Sequence, residues 1–359
     1  MKNQPLPRLN GNNHFMKAAR LFGKNDLRIE EIPQPQAGPG ELLLRTGSAS
    51  VCGTDIRMLK HGHAVTPLVM GHELAGTIER IGAGVEGFKL GQRVCVAPNY
   101  NTASSKLTVA GDGHLDPHYR AIGIHDDGAF AEFVRIPALA VLQGNVFSIP
   151  DHVSFTEAAL IEPMACVYNA YEKARTAPGD TVLIIGAGPI GIMHGKISKL
   201  AGAGKVIIND LNAERLEMAR RIDPTFITLG GDLKNELMKL TGGAGADVII
   251  TACPVPEVQT LAIELAAVNG RVVFFGGLPK DRCVVPLDTN IIHYRQLMVT
   301  GTTRQSLRQF QAVLALVSDR VLRLEDLITS THRIEDAEKA ITAMATASGL
   351  KSRLEFAGA

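Results

Sequence analysis

The chain has 359 residues, a formal net charge of +1, 45% hydrophobic and 20% charged residues, which describes a soluble globular protein too long for one core, so two domains are expected. No Lys/Arg run exceeds a pair, which argues against nucleic acid or an anionic membrane as partner, and no apolar stretch reaches the ~20 residues that span a bilayer. The five cysteines (Cys52, Cys95, Cys166, Cys253 and Cys283) are odd in number and scattered, a poor disulfide framework that fits a reducing cytoplasm.

Residues Met1 to Phe15 are polar and carry no apolar signal core, so they are expected to be a flexible lead-in. From residue 16 to 150 the chain predicts many short strands set off by Gly and Pro. The runs Leu42–Arg45, Gly71–Gly82, Gly91–Val96 and Phe130–Val134 are among them, and together they predict a small β-barrel. The period changes near Phe155. Thr156 to Ala174 is apolar-rich and predicts a helix with an interruption at Pro163. From Asp180 strands and helices alternate. Strands are predicted at Thr181–Ile185, Lys205–Asn209, Asp247–Thr251 and Arg271–Phe275, with helices at Ile190–Ala201 and Ala213–Arg221; this is the pattern of a doubly wound parallel sheet. Gly242-Gly243-Ala-Gly245 precedes a strand and reads as a plain loop. The tail predicts helices over Leu307–Val317 and Ile334–Thr346 and a last strand, Ser352–Phe356, that returns to the first domain.

The strand Val182–Ile185 runs straight into Gly186-Ala-Gly188-Pro189-Ile190-Gly191, and a helix follows. Gly186 permits the tight turn, Gly188 lets backbone approach a pyrophosphate, and Gly191 lets helix and strand pack closely. The helix N-terminus then offers unpaired N–H groups to the phosphates. Asp210 falls nineteen residues after Gly191, at the end of the next predicted strand. A carboxylate there accepts from both ribose hydroxyls of NAD and repels a 2′-phosphate, and Leu211-Asn212 supplies no adjacent arginine for NADP. Arg215, Phe275 and Gly277 are placed with the same cofactor site. The alternative is a glycine-rich turn with no ligand, which the strand, helix and acid together oppose.

Cys52, His72, Glu73 and Glu162 pose a second problem. A lone cysteine is usually a small buried apolar residue, and a lone histidine a satisfied core side chain. Glu73 follows the apolar run Leu68-Val69-Met70, however, and Glu162 lies beside Ala158-Ala159-Leu160-Ile161. A charged Glu buried among such residues is costly unless it is paired or metal-bound. Two unexplained acids, a His and a Cys are explained together by a cation, and zinc takes such N, S and O ligands. Spacing places Asp55 as a partner that orients His72.

Cys52-Gly-Thr-Asp55, Gly71-His-Glu73, Gly128-Ala-Phe-Ala-Glu132, Ile161-Glu-Pro163, Gly186-x-Gly188-x-x-Gly191 and Asp210 resemble, in this order, the zinc-dependent medium-chain dehydrogenase/reductase family. The resemblance runs from about Met16 to the C-terminus and is strongest to the sorbitol (polyol) dehydrogenase branch. It implies an α/β chain: a GroES-like β-barrel catalytic domain (residues 1–165 and 305–359) and a Rossmann NAD-binding domain (166–304), with one catalytic zinc and substrate in the cleft. Cys52 and His72 then match zinc ligands, and Glu73 and Glu162 line the zinc, with the directly bound one left open. Thr54 matches a hydroxyl that relays the alcohol proton, and Arg304 an arginine that contacts polyol hydroxyls. Family members are dimers or tetramers.

Three departures from the family pattern follow. The lobe Asn99–Gly128 contains no cysteine, so the structural zinc is expected to be absent; its Asp112, His114, Asp116, His118 and His125 read as a solvated polar loop, with a substitute metal site as the alternative. Arg57 replaces the histidine that ends the proton relay, and Met58 replaces an aromatic of the pocket wall. The expected reaction is oxidation of a secondary alcohol, a sugar alcohol or polyol, to the ketone by NAD. Arg57, Lys60, His61 and His63 keep a phosphorylated sugar alcohol open beside a basic surface patch, and a threonine-type amino alcohol is a further alternative. A zinc-free reductase is opposed by Cys52, His72, Glu73 and Asp210, and a non-catalytic NAD-binding protein by the retained Thr54.

Overall fold

Leu42–Ser50 is the strand around which the first body forms. Leu42, Leu43, Leu44 and Ala49 are fully buried, so both faces and both edges of this strand are covered. It pairs antiparallel with Glu73–Ile81 on one side and with Lys351–Glu355 and Phe133–Ile136 on the other. The full sheet runs Val146–Ser148, Arg93–Val96, Glu73–Ile81, Leu42–Ser50, Lys351–Glu355, Ile328–Arg333. The predicted return of the tail to the first body is therefore found. A three-stranded sheet of Asp26–Pro33, Phe15–Gly23 and Leu68–Val69 covers one end. The computed structural model describes residues 14–102, 105–346 and 349–356. Residues 1–13 of the predicted lead-in lie outside the described residues, whereas its last residue, Phe15, already opens a strand.

The second body is an all-parallel six-stranded sheet in the order Ile227–Leu229, Lys205–Asn209, Thr181–Ile185, Ala246–Thr251, Ala266–Phe274, Met298–Gly301. The middle residues of its central strands are apolar because helices cover both faces. Val182, Ile184, Val206 and Ile208 face one core; Leu183, Ile185, Ile207 and Ile249 face the other. The strand order reverses between Thr181–Ile185 and Ala246–Thr251, which is where a parallel sheet of this kind opens a ligand crevice.

The bridge between the bodies departs from expectation. The predicted helix breaks at Leu160 rather than Pro163, giving Phe155–Ala159 and Ile161–Ala174. Pro163 lies in the first turn of the second helix, where a missing N–H costs no helical bond. Ile161–Ala174 packs on both Pro189–Leu200 and Leu307–Ser318. It thus brings Glu162, at its start, to the face of the first body.

Candidate active site

Five segments converge at one end of the strand Leu42–Ser50. Just past that end, Cys52 caps a helix, Gly53–His61, that the strand-rich reading of this region did not anticipate. The signal was present: Asp55 Oδ2 accepts from the Cys52 N–H at 2.8 Å, the capping-box geometry of an acid three residues into a helix. The register pairs Ser50 with Glu73 across the sheet. Gly71 holds φ at +95°, and a Cβ there would stand 2.4 Å from Phe130 Cδ1, so only glycine lets the chain turn into His72-Glu73.

Cys52, His72 and Glu73 each offer a donor atom, and these atoms all lie within 4.8 Å of one another; among the described residues this is the only group of three or more Cys, His, Asp or Glu donors so close. His72 is buried, and its Nδ1 stands 3.7 Å from Asp55 Oδ1 with no hydrogen-bond partner on either atom. Asp55 thus stands beside Nδ1, but no hydrogen bond joins the two atoms. Burial opposes the charged imidazole, but the Cys52 thiol and Asp55 outweigh it and raise its pKa well above the usual histidine range. Glu162 is also buried. Loss of water raises its carboxyl to about 7, with His72 opposing the shift and Glu73 adding to it. It stands 3.7 Å from the Cys166 thiol, which also donates to Gln305 Oε1 at 3.0 Å.

Lys351 completes the site, and no sequence pattern announced it. It is fully buried, and its Nζ lies 2.5 and 2.6 Å from the two oxygens of Glu73 and 2.9 Å from the Val51 carbonyl. The Ser50 hydroxyl also donates to Glu73 Oε2. Carboxylate, thiol and imidazole donors gathered in one buried place form a set of O, S and N ligands that suits a zinc ion.

Two other expected residues, Thr54 and Arg304, are half-buried. Thr54 Oγ1 accepts from Arg57 Nη2 at 3.0 Å. Arg304 has φ +54°, donates to the His114 carbonyl, and lays its guanidinium 3.6 Å over the Tyr119 ring, so part of its hydrogen-bonding capacity is spent on the cysteine-free lobe. Within that lobe Asp126 accepts from Tyr100 Oη and from Arg120 Nη2, each at 2.6 Å, Asp116 accepts from the Ser105 hydroxyl and the His118 N–H, and His125 Nδ1 accepts from the Ala121 N–H. These bonds tie the lobe together through its own polar groups.

The glycine turn has the predicted form. Gly186 has φ +117°, and a Cβ on Gly191 would fall 1.8 Å from the Gly186 carbonyl oxygen. Gly188 caps the helix Pro189–Leu200, with Pro189 and Ile190 in its first turn. Asp210 ends its strand as expected, but its carboxylate already accepts from the Ala187 N–H at 2.7 Å and the Asn212 N–H at 2.9 Å, with Arg215 Nη1 3.9 Å away. The acid therefore ties the glycine turn to the next strand's end. Phe275 packs edge-on against His194, ring centres 4.8 Å apart, and Gly277 faces open space.

A Rossmann sheet opposed to a β-rich body, with a thiol, imidazole and carboxylate between them, defines a metal-dependent nucleotide-linked oxidoreductase. Residues 38–151 match the alcohol dehydrogenase GroES-like domain, and residues 189–319 match the zinc-binding dehydrogenase family. The chain is 30% identical over 331 residues to an L-threonine 3-dehydrogenase of Pseudoalteromonas translucida (strain TAC 125), covering 89% of this chain and 94% of that one. It is 28% identical over 334 residues to a sorbitol dehydrogenase of Bacillus subtilis (strain 168), with 91% and 92% covered. A solved short chain alcohol dehydrogenase from Escherichia coli CFT073, complexed with the cofactor NADH, superposes with a TM-score of 0.87 at 28% identity, covering 95% of this chain and 99% of that one. The chain belongs to the zinc-dependent medium-chain dehydrogenase family; it is an alcohol dehydrogenase-type enzyme that uses zinc and a nicotinamide dinucleotide.

Proposed function

We propose that this enzyme oxidises a secondary alcohol of a sugar alcohol or polyol to the ketone, with one zinc per chain and NAD as hydride acceptor. The observation that carries the reading is the Cys52–His72–Glu73 donor group, which neighbours Glu162 on the helix that packs against the Rossmann body. Cys52, His72 and one or both of Glu73 and Glu162 hold the zinc. When bound, zinc polarises the alcohol oxygen and NAD takes the hydride. Thr54 receives the hydroxyl proton. Its oxygen already accepts from Arg57, so its own hydrogen is the one it passes on. Arginine cannot take that proton, so it leaves through water or cofactor hydroxyls. Arg304 contacts substrate hydroxyls.

Gly186, Gly188, Pro189, Ile190 and Gly191 cradle the pyrophosphate. Asp210 favours NAD over NADP, with Arg215, Phe275 and Gly277 lining the same site. We divide the chain into a catalytic domain of residues 1–165 and 305–359 and a cofactor domain of residues 166–304, in line with the sheet memberships. Homo-oligomerisation, as dimer or tetramer, is supported by the edge position of strand Met298–Gly301 and by the exposure of Val268, Val284 and Tyr294. All five cysteines are free, which supports a cytoplasmic setting. A threonine-type amino alcohol is the second reading, supported by the 30% identity to a threonine dehydrogenase.

Metal analysis of the purified protein beside a Cys52→Ser variant tests the core of this reading. About one zinc per wild-type chain, lost in the variant, is the expected result. An intact, NAD-binding protein without zinc would overturn it.

A further inference from the structure

We propose that the alcohol substrate carries an anionic group, a phosphate ester or a carboxylate, and that Arg57 holds it. This deepens the polyol reading above and rests on it. The helix Gly53–His61 begins at the metal-facing Cys52 and points away from it. Thr54 and Arg57 lie three residues apart and share a face, as Arg57 Nη2 on Thr54 Oγ1 shows. Lys60 and His61, three and four residues past Arg57, extend the same face. Its one acid, Asp55, is buried and turned to the Cys52 N–H and His72, so it neutralises none of this charge.

Neither Arg57 nor Lys60 forms an ion pair among the described residues, whereas Arg20, Arg45, Arg120 and Arg215 each face a carboxylate. One guanidinium hydrogen bond is spent on Thr54; the planar fork keeps the rest of its donors for a ligand. A neutral polyol has no need of an unpaired, exposed cation bonded to Thr54. A phosphate or carboxylate does, because a charge-assisted bidentate bond is the strong form of such a contact. At 1.5 Å per residue, Arg57 lies about 4.5 Å and Lys60 about 9 Å along the helix from Thr54. A carboxylate close to the carbinol would reach Arg57 alone; a terminal phosphate on a longer chain would engage Lys60 as well.

The test uses zinc-loaded wild-type enzyme with NAD and three matched substrate sets: neutral polyols, their terminal phosphate esters, and hydroxy acids of the same length. The anionic set is expected to exceed the neutral set in kcat/KM by at least tenfold, mainly through KM. Arg57→Gln should lower that ratio about 10- to 100-fold, with partial recovery in Arg57→Lys. Loss in Lys60→Gln for phosphates but not for hydroxy acids assigns the anion as phosphate; no effect of Lys60→Gln assigns it as carboxylate. Oxidation of neutral polyols in preference to both anionic sets overturns the proposal and leaves the polyol reading standing. Equal loss on neutral and anionic substrates in Arg57→Gln also overturns it, since Arg57 would then serve only to position Thr54. Failure on all three sets by an enzyme that binds zinc and NADH overturns both readings.

Discussion

Lys351 Nζ and the carboxylate of Glu73 form a fully buried ion pair, 2.5 Å from Oε1 and 2.6 Å from Oε2, between residues 278 positions apart. Each partner is desolvated, so each depends on the other for its charge. Lys351→Met leaves an uncompensated carboxylate and is expected to cost about 3–5 kcal/mol of stability. Lys351→Met combined with Glu73→Gln should recover a large part of that loss. Urea unfolding of the metal-free proteins checks both; a single-variant loss below about 1 kcal/mol would show that the pair carries little.

His194 should make the protein acid-labile. It is fully buried, neither ring nitrogen has a partner, and burial alone drives its pKa down to about 3. The unfolded chain, near its ordinary value of about 6.5, binds the proton first. The contribution to stability is therefore fully present above about pH 6.5 and is lost as pH falls toward 3, at about 1.4 kcal/mol per unit. His194→Leu removes that slope. Unfolding free energies measured from pH 7 down to 4 should diverge between wild type and variant, and parallel curves would refute the assignment.

Asp210 closes the glycine turn, and its proposed second role is to read the cofactor ribose. Asp210→Ser should weaken NADH binding about tenfold or more and narrow the preference over NADPH. Fluorescence titration with the two reduced dinucleotides reads the ratio directly. An unchanged ratio would remove Asp210 from cofactor choice and leave it as the tie between Ala187 and Asn212.

Gly71→Ala should damage the proposed metal site through the backbone next to it. The backbone there is left-handed, and the new Cβ would meet Phe130 at 2.4 Å. A loss of about 2 kcal/mol or more is expected from strain and overpacking together. Zinc content should fall in parallel, because His72 and Glu73 follow directly in the chain. Thermal unfolding and metal analysis on the same sample check the two effects.

Local chemistry made much of this protein legible in advance. The Gly186–Gly191 turn, the strand before it and Asp210 form one contiguous unit, and close backbone approach permits only glycine at Gly191. Cys52, His72, Glu73 and Glu162 could be grouped because two acids in apolar runs lacked another explanation and a cation accounts for all four. The helix break at Leu160 was misplaced because Pro163 is a breaker only beyond the first turn, and where a helix begins is settled by packing. The helix after Cys52 was missed because its capping box involves a cysteine, an unusual N-cap side chain.

The sequence by itself determined the order of the two sites, the dinucleotide turn and the residue types able to hold a metal, since each depends on neighbours within a few positions. Only the tertiary structure decided that Lys351 meets Glu73 and that Arg304 leans on His114 and Tyr119. Strand register and helix docking fix those contacts. They are set by the burial of whole faces, where a shift of one residue would turn every side chain to the other side.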